Sequence, residues 1–405
     1  MSGVSYRDVR VGAEYGTEQA LANATEQAGR RGLDRFPIVD ADAHHYETES
    51  WHEITSYIED PVLRQEAHGG VMRLTGRTPL LPAVLGNQDQ SGRVLRYSLR
   101  GLERSELEGP DQDGVIIKRA MRAMSIDYQI VFPTPMLNLG LHPVPDVEVE
   151  IARAYARWCE EHLLAGNLGI RTMLYLPFSD PDACVRLVEE YSHVDGVVGF
   201  MITSVRGHPV WDRRYAPLFA TIQETGRPLG FHAGYNWIGN RDMESLNRFL
   251  SVHALGFPHY NLLHLTNWVI NGLPERYPAL KVIWIEGGLA WVPYLMQRLD
   301  HEYLLRPSEA PLLKRKPSEY IAEMFFTTQP LEVPDDLSIL EMTFKMLRAG
   351  SQLLYASDFP HWDFDVPARI YDLPFLSEAD RRNILGANAL TLFGLPTPSA
   401  NGAIA

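Results

Sequence analysis

The sequence predicts an α/β fold, a (β/α)8 TIM barrel with an N-terminal arm and an insertion after strand 1. Eight short apolar runs alternate with helical patterns from Phe36 onward. Most of these runs look buried and do not alternate between apolar and polar residues, which is typical of parallel strands that are covered by helices. Eight such βα units in one chain favour a closed barrel.

The predicted strands are separated by segments long enough for helices. They cover residues 36–44, 126–134, 170–177, 197–204, 227–234, 280–288, 324–330 and 353–360. The alternative is an open, doubly wound sheet, which usually carries a glycine-rich phosphate turn after its first strand. No such turn follows the first predicted strand here, so the barrel is preferred.

Capping residues mark where several of the intervening helices begin or end. The helical pattern is clearest in residues 146–166, where apolar residues share one face and Gly166 is the stop. Asp180 is suited to cap the helix that follows it. Two more helices are predicted, over 215–226 and within 377–395, the second of which opens on a Ser-x-x-Asp cap signal.

Some stretches lie outside the βα repeat. Residues 1–35 are interpreted as an N-terminal arm that precedes a barrel domain of residues 36–396. Residues 50–122 are long for one βα unit, so they are expected to form an insertion over the mouth of the barrel, as a cap or a dimer surface. The tail, 397–405, is expected to be flexible.

Composition narrows the functional classes. The chain has 405 residues, 45% of them hydrophobic, and a formal net charge of −14. Such an acidic chain is a poor partner for nucleic acid or for an anionic membrane surface, and no apolar run reaches the length of a membrane span. The two cysteines, Cys159 and Cys184, exclude a disulfide scaffold and indicate a cytoplasmic location.

The stretch IVDADAHHYE, residues 38–47, places two aspartates and two histidines at the end of the first predicted strand. Side chains two residues apart in a strand point the same way, so Asp42 and His44 are expected to project together. Asp40 points the same way, one layer deeper. In a barrel, functional groups lie at the carboxyl ends of the strands, where this pair is placed.

Three other predicted strands end in residues of the same kinds. His232 ends strand five, Glu286 ends strand six, and Asp358 ends strand eight with His361 just beyond it. A single polar residue at a strand end is usually a cap, whereas four strands in register on one face indicate a site. The candidate metal ligands are therefore two histidines and two carboxylates, namely Asp42, His44, His232 and Asp358. Glu286 is a further candidate. This set suits Zn²⁺, Mn²⁺ or Fe²⁺ better than Ca²⁺ or Mg²⁺.

Several longer motifs in the chain match a known family. They are DADAH with Glu47 following, PLGFHAG, ERYPALKVIWIEGG, ASDFPHWD and NILGANALTLFGL. On these motifs the sequence resembles the amidohydrolase superfamily, in particular the branch with aminocarboxymuconate-semialdehyde decarboxylase and gamma-resorcylate decarboxylase. The resemblance covers roughly residues 36–396, and DADAH followed by ASDFPHWD is its specific part.

The resemblance implies a barrel enzyme with one divalent metal, zinc being the first expectation and manganese or iron(II) the alternatives. The implied ligands are Asp42, His44, His232 and Asp358. Many members have histidine where this chain has Asp42 and Glu286, so the role of Glu286 stays open between the substrate, support of a ligand and structure. Predicted strand four, VVGFMITS, has no lysine for a carboxylated-lysine bridge, which favours a single metal.

Five residues in the loops around the mouth are predicted to bind the substrate. They are Tyr235, Trp237, His253, Gln329 and Trp362. Aromatic residues at the rim of a pocket suit a flat substrate. The alternatives are loop packing for the aromatic side chains and a structural role for the histidine.

Three functions stay open from the sequence. The preferred one is nonoxidative decarboxylation of an aromatic or conjugated carboxylic acid, in which Asp358 moves the proton and His361 or Glu286 assists. The second is hydrolysis of an amide, ester or lactone by metal-bound water, with the same aspartate as base. The third is a barrel that binds a metal or a ligand without turnover. A homodimer is expected by analogy with the branch.

Overall fold

The computed structural model describes most of the barrel and parts of the arm and the insertion. The described residues are 17–47, 50–74, 112–203, 208–234, 243, 245–246, 249–361 and 363–398. Several predictions fall outside them, namely those on 1–16, 75–111, Tyr235, Trp237, Trp362 and 399–405.

Eight parallel strands pair in the order of the chain. They are β1 (Val39–His45), β2 (Tyr128–Pro133), β3 (Ile170–Tyr175), β4 (Val197–Thr203), β5 (Leu229–His232), β6 (Val282–Ile285), β7 (Phe325–Thr327) and β8 (Leu353–Leu354). Two backbone hydrogen bonds join β1 to the segment after β8, from Ala41 to Tyr355 over 2.8 Å and from His44 to Phe359 over 2.7 Å. The predicted TIM barrel is therefore confirmed.

Several strands are shorter than predicted at their carboxyl ends. Residues 353–360 were expected to form the last strand, but β8 ends at Leu354. Glu286 and Asp358 have positive φ angles, 57° and 61°, which an extended strand does not allow. Both acidic residues therefore lie on turns that follow the strands and not within the strands themselves.

Helices surround the strands. Those of the described residues are α1 (Thr17–Arg31), α2 (Trp51–Ser56), α3 (Pro61–Leu74), α4 (Gln112–Met124), α5 (Pro145–Trp158), α6 (Pro181–Tyr191), α7 (Ala216–Thr225), α8 (Phe249–Ile270), α9 (Leu273–Arg276), α10 (Trp291–Leu305), α11 (Pro317–Ile321), α12 (Leu337–Met346), α13 (Ala349–Gln352), α14 (Ala368–Tyr371), α15 (Glu378–Arg382) and α16 (Asn388–Phe393). Asp180 caps α6 as predicted, since its side chain accepts hydrogen bonds from Asp182 N and Ala183 N.

The strands form the centre of the apolar core. Every strand residue is buried except Phe325, which agrees with the buried character that the sequence predicts for these strands. Both cysteines are buried and free. Among the described helices, none combines the length and the apolar character that crossing a bilayer requires.

Candidate metal centre

Five acidic and imidazole side chains meet at the carboxyl end of the barrel. They are Asp42 and His44 from β1, His232 from β5, Glu286 from the turn after β6 and Asp358 from the turn after β8. Each is at most 4% exposed, so water screens their charges poorly. The sequence placed all five on this face.

The carboxylate of Asp42 and the ring of His44 link the group together. Asp42 Oδ1 lies 3.3 Å from His232 Nε2 and 3.4 Å from His44 Nε2. The same His44 nitrogen lies 3.3 Å from Asp358 Oδ1. A register shift in β1 between Asp40 and Ala43 breaks the simple strand alternation, yet Asp42 and His44 still converge.

Backbone carbonyls orient both imidazoles. His44 Nδ1 lies 3.2 Å from Pro133 O, and His232 Nδ1 lies 2.8 Å from Ala233 O. Because a carbonyl only accepts, each Nδ1 carries the proton and each Nε2 presents a lone pair. Neutral nitrogen lone pairs would face carboxylate oxygens at these distances, so a cation between them fits the arrangement.

Two further observations support a cation. The buried atoms Asp42 Oδ2 and His44 Nε2 have no hydrogen-bond partner in the part of the chain that the structure describes. Burial lowers the pKa of His44 to about 4, so its imidazole is unprotonated at neutral pH. An unprotonated imidazole and an ionised carboxylate are the forms that bind a metal.

Within the described part of the chain, two groups of side chains have metal-binding geometry, and Glu286 belongs to both. Ligand atoms of Asp42, His44, His232 and Glu286 all lie within 4.8 Å of one another. The same holds for His44, Glu286, Asp358 and His361. Glu286 Oε2 is 3.6 Å from His232 Nδ1 and 3.9 Å from His44 Nε2, so this carboxylate faces the centre.

His361 connects the centre to a neighbouring hydroxyl group. Its Nδ1 lies 2.7 Å from Asp358 Oδ1, and its Nε2 lies 3.2 Å from Thr134 Oγ1. Its ring stacks on that of His44 with centroids 4.2 Å apart. Sequence reasoning missed Thr134, although this residue ends the second predicted strand and thus lies on the same face as the other polar strand ends.

A buried carboxylate beneath the centre ties the first strand to the last. Asp40 Oδ2 accepts hydrogen bonds from Gln129 Nε2 at 2.7 Å and from Ser357 Oγ at 2.5 Å. Asp40 Oδ1 accepts a bond from Ser357 N at 2.8 Å. Burial raises the pKa of Asp40 to about 7. Ser357 directly precedes Asp358, so this network holds the backbone from which Asp358 projects.

Two of the predicted substrate-binding residues lie beside the same carboxylate, that of Asp363. Gln329 Nε2 donates to Asp363 Oδ2 over 3.3 Å, and His253 Nε2 lies 3.9 Å from the same oxygen. Asp363 was not singled out in the sequence. The other three predicted residues, Tyr235, Trp237 and Trp362, lie outside the described part of the chain.

Comparison with known proteins assigns the family. A family model described as amidohydrolase matches residues 39–395, from the start of β1 to just beyond α16. The chain belongs to this amidohydrolase family. The resemblance seen in the sequence motifs is therefore confirmed for nearly the whole barrel.

Several proteins similar to this chain are decarboxylases. Gamma-resorcylate decarboxylase of Polaromonas sp. (strain JS666 / ATCC BAA-500) is 25% identical over 255 residues, 61% of this chain and 77% of that protein. The 2-amino-3-carboxymuconate-6-semialdehyde decarboxylase of Dictyostelium discoideum is 24% identical over 204 residues, 49% of this chain and 54% of that protein. A solved dihydroxybenzoic acid decarboxylase from Polaromonas sp. JS666, with bound manganese and the inhibitor 2-nitroresorcinol, has a TM-score of 0.61 at 20% identity and covers 89% of this chain and 97% of its own.

Proposed function

We propose that this amidohydrolase-family enzyme is a metal-dependent, nonoxidative decarboxylase of an aromatic or conjugated carboxylic acid. The observation that carries the proposal is the position of Asp358, whose Oδ1 lies 3.3 Å from His44 Nε2 and 2.7 Å from His361 Nδ1. A carboxylate between a metal-binding group and an imidazole can exchange protons with a substrate held at the metal. The similarity to decarboxylases of aromatic and conjugated acids supports this reaction.

Asp42, His44, His232 and Asp358 are the proposed ligands of one divalent metal, with Glu286 facing the same point. A divalent cation held there supplies a Lewis acid for the substrate carboxylate and an adjacent oxygen. Zinc remains the first expectation from two imidazoles and two carboxylates. Manganese is the alternative, since the similar dihydroxybenzoic acid decarboxylase contains it.

In the proposed reaction Asp358 gives a proton to the ring carbon that bears the carboxylate. The bond between this carbon and the carboxylate then breaks, its electron pair returns to the ring, and CO₂ leaves. His361 then reprotonates Asp358 across the 2.7 Å contact between Nδ1 and Oδ1. The Thr134 hydroxyl contacts Nε2 of His361 and orients its ring. The burial of these side chains excludes bulk water from the developing charge.

The test is turnover of aromatic acids in isotopically labelled water by enzyme loaded with zinc or with manganese. Salicylate and 2,6-dihydroxybenzoate are suitable first substrates. In deuterated water, decarboxylation releases CO₂ and places deuterium on the ring carbon that lost it. Oxygen-18 from water in the product of an ester, amide or lactone, without CO₂ release, would instead support the hydrolase. Turnover of neither kind would favour the binding barrel.

We also infer that the helices of residues 50–122 cover part of the mouth. Asp113, in α4, has its Oδ1 3.7 Å from Nδ1 of His45, the last residue of β1. Glu53, in α2, accepts a hydrogen bond from Trp158 Nε1 at 2.8 Å. These contacts support placing the insertion beside the carboxyl end of the first strand.

A homodimer and a cytoplasmic location remain our proposals. Large apolar side chains are exposed on two neighbouring helices, namely Leu255 and Leu263 on α8 and Leu304 and Leu305 on α10. Exposed apolar surface of this kind often marks a contact between proteins. Light scattering tests the dimer, which should have twice the 45.8 kDa mass of one chain.

A further inference from the structure

Gln329 combines deep burial with an unused hydrogen-bond acceptor. The residue follows β7 by two positions, on the face of the barrel that carries the metal-binding side chains. It is 1% exposed, and its Oε1 has no hydrogen-bond partner among the described residues. A buried carbonyl oxygen that no group satisfies is unfavourable, and such groups in native proteins usually serve a bound molecule or water.

The contact with Asp363 determines how the side-chain amide of Gln329 is oriented. Gln329 Nε2 lies 3.3 Å from Asp363 Oδ2 and 3.5 Å from Asp363 O. Both of these oxygens accept hydrogen bonds only, so the nitrogen of the amide must face them. The unused atom is therefore an acceptor, and the ligand group that it fits is a donor.

Two partly exposed side chains open the cluster to solvent. Asp363 and His253 each have 19% of their side chains exposed, and His253 Nε2 lies 3.9 Å from Asp363 Oδ2. The ring of His253 also packs against that of Phe257, with centroids 4.7 Å apart. A ligand can thus reach the cluster beside an aromatic surface, while the buried amide behind it supplies the acceptor.

We propose that Gln329, Asp363 and His253 form a specificity subsite that binds a hydroxyl or amino group on the substrate, away from the carboxylate that is lost. The Gln329 carbonyl accepts the donor hydrogen, and the Asp363 carboxylate disfavours a second negative charge at this end of the substrate. The subsite rests on the proposed function for its aromatic acid substrate. It adds that the preferred acids carry a donor and not a second carboxylate on the far side of the ring.

The test measures binding, so that it does not depend on turnover. The probes are salicylates substituted at ring position 4 or 5 with hydroxyl, amino, methoxy or carboxylate, titrated calorimetrically into zinc- or manganese-loaded enzyme. In one positional series the hydroxyl or amino probe should bind at least about tenfold more tightly than the methoxy probe, which has a similar shape but no donor. The carboxylate probe should bind most weakly.

Variants assign the preference to Gln329. In Gln329→Met the ratio between donor and methoxy probes should fall to about one, because the acceptor is gone. Gln329→Leu also removes the acceptor, so its probe ratio should fall in the same way, which serves the test if the Met variant does not fold. Gln352→Met is the matched control, because Gln352 directly precedes β8, at the end of the barrel away from the metal-binding side chains. There its Nε2 donates a hydrogen bond to Met324 O. Its probe ratio should equal that of the wild type.

The outcomes separate the subsite from the proposed reaction. Equal binding of donor and methoxy probes by the wild type, no binding of any probe, or a preference that survives in Gln329→Met would overturn the subsite. A donor preference without CO₂ release from any aromatic acid would support the subsite and contradict the decarboxylase. CO₂ release without a donor preference would support the decarboxylase and contradict the subsite.

Discussion

Asp358 owes its position to its own backbone as much as to its side-chain contacts. Its φ of 61° is uncommon for a residue with a Cβ atom and persists only where surrounding contacts hold it. Its N–H donates to Asp42 O over 2.8 Å, which locks the turn to the strand that supplies two proposed ligands. The side chain is thereby held between His44 and His361, where it can bind the metal and transfer a proton.

The first prediction concerns the proton carried by Asp358. Asp358→Asn keeps the shape and one oxygen but cannot transfer a proton to carbon. At saturating metal we expect kcat to fall on the order of 10²- to 10⁴-fold, the usual contribution of general acid–base catalysis. The control is Asp34→Asn, an exposed aspartate beyond α1. An unchanged kcat in Asp358→Asn would remove this residue from the proton-transfer step.

At the residue scale, the sequence identifies groups at strand ends but not their partners. Asp42, His44 and His232 could be placed because strand periodicity and barrel topology send them to one face. Thr134 became recognisable only through its contact with His361, which lies 227 positions further along the chain. Asp363 lies in the loop after β8, where no regular period fixes the direction of a side chain.

At the scale of elements, the junction between β1 and β8 holds the site together. β8 has only two residues, so few ladder hydrogen bonds are available to close the barrel. The hydroxyl of Ser357 compensates by donating to Asp40 Oδ2 at 2.5 Å and accepting from Phe359 N at 3.0 Å. This serine therefore supports both barrel closure and the turn that presents Asp358.

Removing that hydroxyl should weaken the junction. In Ser357→Ala, Asp40 Oδ2 loses one of its two hydrogen-bond donors and Phe359 N loses its acceptor. We expect the free energy of unfolding to fall by about 1–3 kcal/mol, measured by urea titration of metal-free protein. Ser351→Ala is the control, because the Ser351 hydroxyl forms an exposed bond to Arg348 O. Equal stability of the two variants would show that the junction does not depend on Ser357.

The segment between β8 and α14 should make stability depend on pH. Burial raises the pKa of Asp365 to about 6 from an ordinary 3.8, although the charge of Arg369 opposes the shift. As pH rises from 3.8 to 6, the unfolded chain ionises this group before the folded protein does. The free energy of unfolding should therefore decrease by about 3 kcal/mol over this window, through this group alone, and stay level above it.

Asp365→Asn tests this contribution through the slope of stability against pH. The variant also loses the 2.5 Å contact with Arg369, which lowers the whole curve but does not create a slope between these pH values. We expect the decrease between pH 4 and pH 6 to be smaller than in the wild type, by up to about 3 kcal/mol. Parallel curves for the two proteins would contradict the assignment to Asp365.

Strand existence could be predicted more reliably than strand length. Parallel strands covered by helices are buried on both faces, so most of them leave a recognisable, largely apolar run in the sequence. Their ends depend on backbone conformation, and the positive φ values of Glu286 and Asp358 have no counterpart in the apolar pattern. The predicted last strand was too long for this reason.

At the scale of the whole molecule, barrel topology brings residues that are distant in the sequence together at one metal centre. Asp42 and Asp358 are separated by most of the chain, yet the eighth strand closes on the first and Asp358 N bonds Asp42 O. The sequence could predict this meeting because closure follows from the count of βα units. The insertion over the mouth stays a prediction, since residues 50–122 have no repeat that a barrel would dictate.

The measurement that tests the central claim most directly is the metal content of purified protein, by elemental analysis after incubation with Zn²⁺ or Mn²⁺ and removal of free metal. We expect about one ion per wild-type chain and a large loss in His232→Ala, with His193→Ala, an exposed histidine beyond α6, as the control that keeps its metal. Circular dichroism confirms that each variant is folded. Wild-type protein that binds neither metal, or a folded His232→Ala that binds as much as the wild type, would contradict the metal centre and the reaction proposed for it.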